Sequence, residues 1–317
     1  MSSNNFSRLV LALGLALALY CLVMPASFAV QVIVWGALAI VIASAMRFVM
    51  LVGEFNLATG AFYGMGAYTA GYLNTVWGWP LWASIPAAGG VAGVVAVALG
   101  YTTMRTFGAY FMLISFAFSE IVRLIYIETP ALGGNNGILG VLVPVWLEPY
   151  YPALVVAMCI LLVIVMALVE RSALGTVFRA IKNKEAVVRS VGIDVLSMRV
   201  LCLTIASVIA GIAGGLYAHM NTVISPGDFG FMLSVFALAY VKLGGEDEPV
   251  GPVIGAAVLT VVSQFLLGFG SYDQLFYGAI IVLAMLALPQ GLLGRLEQVG
   301  MIRVGSETTP RRHARHD

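Results

Sequence analysis

Charge is what this sequence has least of. Only 10% of its 317 residues are Asp, Glu, Lys or Arg, against about 25% in soluble domains. Mean hydropathy is +0.99. Water cannot solvate so apolar a surface, which excludes a soluble globular domain. Net charge is only +1, so no field of one sign argues for a nucleic-acid partner. Cysteine is scarce too. Cys21, Cys159 and Cys202 sit inside apolar runs without CxxC spacing, which reads as small core residues rather than redox or metal chemistry.

Catalytic signatures are also missing. None of Lys182, Lys184 and Lys242 follows a glycine, so there is no P-loop for ATP phosphates. No HExxH, GxSxG or metal-spaced His/Cys cluster occurs. His313 and His316 lie in the tail, and His219 reads as a helix-interface residue. Neither an enzyme nor a resident cofactor is expected in this chain.

What is present is apolar length. Runs fall at 9–24, 29–47, 57–76, 81–103, 109–127, 151–169, 200–219, 229–243, 251–268 and 275–289. A bilayer core needs about 20 helical residues per crossing, and only helices or closed barrels satisfy their backbone there. The reading is an all-α polytopic membrane protein of about ten segments. The 229–243 run is short enough for a half-span or re-entrant element. The 35 glycines suit close helix packing in lipid.

Basic residues set the orientation. Arg171, Arg179, Lys182, Lys184, Arg189 and Arg199 crowd residues 170–199, and Arg295, Arg303, Arg311, Arg312 and Arg315 follow the last run. Both regions are expected in the cytoplasm, and so are both termini. The 77–80, 128–150 and 225–229 loops fall on the opposite side. A cleaved signal peptide is an alternative for the first run, but the parity works with that segment retained. Ten segments divide as five plus five, and an odd half implies an inverted repeat. The expected organisation is a transmembrane domain over 1–296 and a polar, basic, disordered tail over 297–317.

The 170–199 loop is more than an orientation signal. Asn183 is placed to cap a short helix, and Glu185 suits its first turn. Gly192 suits a left-handed end. Ala186, Val187, Val188 and Val191 form an apolar stripe between them. Such a face needs lipid or a protein groove.

"RAIKNKEAVVRSVGI" (179–193) resembles the cytoplasmic loop of permease subunits of branched-chain amino acid ABC importers. Arg179, Ala180, Ile181, Gly192 and Ile193 match in order, while the asparagine falls one place early, at Asn183. Glu185, Ala186 and Val187 stand near the positions of the coupling helix that inserts into an ATPase subunit. "GEFNLATGAFYGMGAYTA" (53–70), "YFMLISFAFSEIVRL" (110–124), "LGGNNGI" (132–138), "IAGIAGGLYAHMNTVISPGDFGFMLSV" (209–235), "VGPVIGAAV" (250–258) and "LFYGAIIVLAMLALPQGLLG" (275–294) also resemble that family. The pattern is that of its M-type permease.

The resemblance implies a bacterial inner-membrane subunit that works by alternating access. Its partners would be a second permease, two ABC ATPases and a periplasmic binding protein. Arg179, Asn183, Glu185, Ala186, Val187 and Gly192 would couple to the ATPase. Departures are Glu54 for glutamine, Asn56 for serine, and three acids in "GGEDEPVGP" (244–252). They bear on substrate identity, since similar proteins carry urea, short amides or aromatic acids. An ion-driven secondary transporter and a non-transporting membrane scaffold are the readings from other classes.

Polar residues within the runs are the pathway candidates. Glu54, Asn56 and Thr59 lie at the mouth of the third segment. Glu120 lies about 16 Å into the fifth, at 1.5 Å per residue. It either lines the pathway or pairs with Arg123 at i+3. Asp228, after Pro226 and Gly227, reads first as a turn residue.

Overall fold

The computed structural model describes residues 3–23, 27–106, 108–266, 278–283, 286 and 291–298. Its helices are α1 (Ser3–Val23), α2 (Phe28–Met50), α3 (Thr59–Thr75), α4 (Leu81–Thr103), α5 (Ala109–Glu128), α6 (Tyr151–Arg171), α7 (Ala173–Ser190), α8 (Val195–Asn221), α9 (Phe231–Gly244), α10 (Gly251–Leu266) and α11 (Gly291–Gln298). The chain is an all-α polytopic membrane protein. Helices α2, α4, α5, α6 and α8 are long and apolar enough to cross a bilayer, and α9 and α10 are shorter apolar helices. The first nine apolar runs coincide with α1–α6 and α8–α10. Most of the tenth run, and the tail from residue 299, lie outside the described residues.

Helix starts follow local chemistry. The Ser27 hydroxyl accepts the Val30 N–H at 3.3 Å and caps α2. Pro152 stands in the first turn of α6, where a missing N–H costs nothing. Asp194 caps α8 by accepting the Leu196 N–H at 3.1 Å. Hydrogen bonds from the Ser197 hydroxyl and from the Ser197 and Leu196 N–H groups hold its carboxyl below the usual range.

The longest helix, α8, runs through the centre against α3 and α4. Glycine makes the approach possible. A Cβ on Gly66 of α3 would stand 1.9 Å from the Gly211 carbonyl oxygen of α8. A Cβ on Gly214 would stand 1.9 Å from the Tyr63 carbonyl oxygen. On the other side, Gly89 of α4 lies beside Ile212 and Gly100 beside Val200. The order reverses, so α4 and α8 are antiparallel. Contact at this range supplies the dispersion attraction that stands in for a hydrophobic drive in lipid. Cys21, Cys159 and Cys202 are buried and free.

At the end of the bundle away from α7, three loops join. Strands β1 (Ile138–Leu139) and β2 (Val223–Ile224) pair antiparallel, Ile138 opposite Ile224. Asn74, on the last turns of α3, donates to the Trp79 carbonyl at 3.1 Å and accepts the Leu142 N–H at 3.0 Å. The 77–80, 128–150 and 223–230 loops therefore form one face. Trp77, Trp79 and Trp146 are exposed on it.

Candidate functional site

The amphipathic element is α7, entered from a cap in which the Ser172 hydroxyl accepts the Leu174 N–H at 3.2 Å. Its backbone breaks at Lys184 (φ −151°, ψ 80°), leaving a separate short helix over 185–190. This corrects the expected cap at Asn183. Asn183 stays in the first helix, and the residue that leaves helical geometry is the next one. Ile181, buried against Val188 and Val195, holds that preceding turn in place.

Gly192 stands where the sequence puts it. Its φ is +86°, its N–H donates to the Arg189 carbonyl at 3.0 Å, and the Ile193 N–H donates to the Val188 carbonyl at 3.4 Å. These are both bonds of a Schellman cap, and Ile193 packs into the same cluster as Val188.

The expected stripe divides in two. Val188 is buried in the local cluster. Ala186, Val187 and Val191 remain exposed, Val187 at 55% and Val191 at 74%. Val187 and Val191 are four residues apart and share a face.

Ion pairs tie this helix to the bundle. The Glu185 carboxylate takes Arg189 of its own helix and, at 3.0 Å, Arg199 of α8. Arg179 donates to the Glu170 side chain at 3.3 Å and to the Glu170 carbonyl at 3.0 Å. Glu170, at the end of α6, also takes both guanidinium arms of Arg47 at 2.7 and 2.9 Å. Arg47, at the end of α2, further donates to the Glu246 and Asp247 carbonyls at 2.8 and 3.0 Å. Arg47 is 3% exposed and Glu170 2%. One buried knot thus joins α2, α6, α7 and the α9–α10 turn. The acidic turn enters it through backbone oxygens. The Glu246 side chain instead pairs with Lys242. Burial alone would push the Glu246 carboxyl up, but the Lys242 hydrogen bond and the charges of Lys242, Lys182 and Arg47 leave it below its usual range.

Sequence reasoning missed Arg47 and Glu170 as partners. Their only signal was a charge at the end of an apolar run.

Glu54, Asn56 and Thr59 come together in one buried turn between α2 and α3. The Gly108 N–H donates to Glu54 at 3.0 Å. Burial pushes the Glu54 carboxyl up, against that bond and the Arg199 charge. Asn56 accepts the Ala58 N–H at 3.0 Å, and the Thr59 hydroxyl donates to the Asn56 carbonyl at 2.9 Å. The Ser234 hydroxyl of α9 accepts the Gly60 N–H at 2.8 Å. These groups close the start of α3. Glu120 lies apart from them. It pairs with Arg123 at 2.8 Å and accepts the Phe231 N–H at 3.5 Å, at the start of α9. His219 is buried, with Nδ1 2.9 Å from the Gly215 carbonyl. Among the described residues, no group of three or more His, Cys, Asp or Glu is placed to hold a metal ion.

The family described as branched-chain amino acid transport system / permease component matches residues 28–285. The chain is 31% identical over 273 residues to the high-affinity branched-chain amino acid transport system permease protein LivM of Salmonella typhimurium and of Escherichia coli. The match covers 77% of this chain and 64% of each relative, so the chain spans somewhat under two thirds of their length. The corresponding LivH protein of Salmonella typhimurium is 29% identical over 131 residues, 41% of this chain and 42% of that one. The ribose import permease protein RbsC of Escherichia coli is 27% identical over 168 residues, 50% of this chain and 49% of its own. No solved structure matches. With the family covering α2 through the last apolar run, this chain belongs to the permease components of branched-chain amino acid transport systems.

Proposed function

We propose that the chain is the membrane-spanning permease subunit of an ATP-driven importer for branched-chain amino acids. It supplies the path, and separate ATPase subunits hydrolyse ATP. Its partners are a second permease of the same family, two ATPases and a periplasmic binding protein, in a bacterial inner membrane. The apolar runs support ten segments, their five-plus-five parity supports two inverted halves, and the distribution of basic residues supports both termini in the cytoplasm.

The observation that carries this reading is the short helix after Lys184. Its apolar residues Val187 and Val191 point away from the bundle, while its far side is tied down through Val188, Glu185 and Arg199. A helix that docks a motor must expose one face and transmit force through the other. Arg179, Asn183, Ala186 and Gly192 serve this role by shaping and bracing the helix. Glu54, Asn56, Thr59 and Glu120 act on the pathway through the helix starts they close, at α3 and α9. The binding protein docks on the tryptophan-rich face at the other end. Co-expression with the ATPases, second permease and binding protein tests the reading. ATP-dependent leucine uptake supports it. Preferential uptake of urea, amides or aromatic acids overturns the substrate.

A further inference from the structure

We infer that the aromatic cleft beside Asp228 is a binding site for the ammonium group of an apolar amine, such as the α-ammonium of an aliphatic amino acid. As a solute site it rests on the importer reading. The binding chemistry itself stands apart from that reading.

The cleft has a volume of about 330 Å³ and opens between α2, α3, α8, α9 and α10. That lies in the range of about 300–1,000 Å³ typical of small-molecule pockets. Trp35, Tyr63 and Tyr217 line it, with Leu38 and Ile42 as apolar wall. The rings brace one another. Tyr217 meets Trp35 edge-on at 6.1 Å and packs on Tyr63 at 5.6 Å. Edge-to-face contacts of this kind hold a cleft's shape without a ligand.

Asp228 is the carboxylate on the lining. One oxygen accepts the Ser225 N–H at 3.3 Å and the Tyr217 hydroxyl at 3.4 Å. Among the described residues Asp228 forms no ion pair, whereas Glu120, Glu170, Glu185 and Glu246 all do. An unneutralised carboxylate beside aromatic rings attracts a cation twice, by charge and by the ring quadrupole. Leu38 and Ile42 then accept an aliphatic chain. A neutral amide gains nothing from this charge, and a simple carboxylate is repelled by it. A turn role explains the capping box of Ser225 and Asp228. It does not require rings around the acid.

The test uses the purified complex in nanodiscs, read by tryptophan fluorescence. Isoamylamine, leucine and isovalerate are the probes, and Trp35→Phe reports which signal is local. Isoamylamine and leucine are expected to titrate the signal, with isovalerate silent. Asp228→Asn keeps a capping oxygen and is expected to weaken amine binding at least tenfold, while Asp228→Glu restores it. Melting curves establish that each variant is folded, and Trp35→Phe probes the same site without touching the turn. Equal amine affinity in Asp228→Asn, or isovalerate binding as well as the amine, overturns the site. Leucine uptake measured in parallel separates the two claims. Normal uptake with unaltered amine affinity in Asp228→Asn sinks only the site. Amine binding without leucine uptake sinks only the importer's substrate.

Discussion

Arg47 and Glu170 form a two-armed ion pair, 2.7 and 2.9 Å, across 123 residues of sequence and almost out of reach of water. Bidentate geometry is the strongest arrangement for these groups. Neither charge is tolerable there alone, because an unpaired buried ion keeps its desolvation cost. Glu170→Ala is therefore expected to cost about 3–5 kcal/mol, seen as a large drop in melting temperature of the detergent-purified protein, and Arg47→Ala less, since Glu170 keeps its pair with Arg179. The double variant Arg47→Met/Glu170→Met removes both charges and should recover most of that loss. It should not recover uptake, because Arg179 loses the Glu170 carboxylate and the α9–α10 turn loses the Arg47 guanidinium.

The exposed pair on the docking helix behaves oppositely. Val187→Glu or Val191→Glu places a charge on a side chain that is mostly exposed in the free subunit. Surface changes of that kind alter stability by about 0.5 kcal/mol or less. Melting should be unchanged, while co-purification of the ATPase falls at least tenfold.

Glycine packing at α3 and α8 sets a third expectation. Gly66→Ala adds a Cβ within 1.9 Å of the Gly211 oxygen. Backbone cannot yield as a side-chain tip does, so the cost should reach or exceed about 3 kcal/mol. Gly90→Ala, a helical position with nothing within 4 Å of the added carbon, should stabilise slightly. Parallel melts of the two variants compare them directly.

Glu54 supplies a pH signature. Burial raises its folded-state pKa above the unfolded value, which is about 4.3. Below that value the folded protein carries no penalty. As pH rises from that value through the higher folded one, stability is lost, because the unfolded chain ionises before the buried group can. Glu54→Gln keeps an oxygen for the Gly108 N–H and removes the charge. Its melting temperature should match the parent at about pH 3.5, below the unfolded value, and exceed it at pH 8.

Local chemistry was legible in the sequence, and distant pairing was not. Apolar length located the helices, because lipid permits little else. Gly192 announced a left-handed cap, and the structure has one. The break after α7's first part was displaced by one residue, since Ile181 is buried with Val188 and Val195 and extends the preceding turn. Periodicity grouped Val187, Val188 and Val191, but only tertiary packing decides that Val188 turns inward. The Arg47–Glu170 pair was invisible, because each residue looks like an ordinary charge at a span's end. The acidic turn misled in another way. Its carboxylates drew attention, yet backbone oxygens of Glu246 and Asp247 bind Arg47.

The central claim is that a motor outside this chain drives transport through the helix at 185–190. Leucine uptake into proteoliposomes holding the permease pair, ATPases and binding protein tests it most directly, with and without enclosed ATP. Accumulation should require ATP and vanish in Val187→Glu, with the protein still folded and inserted. Uptake without ATP that follows an imposed proton or sodium gradient, and survives Val187→Glu, would contradict the account.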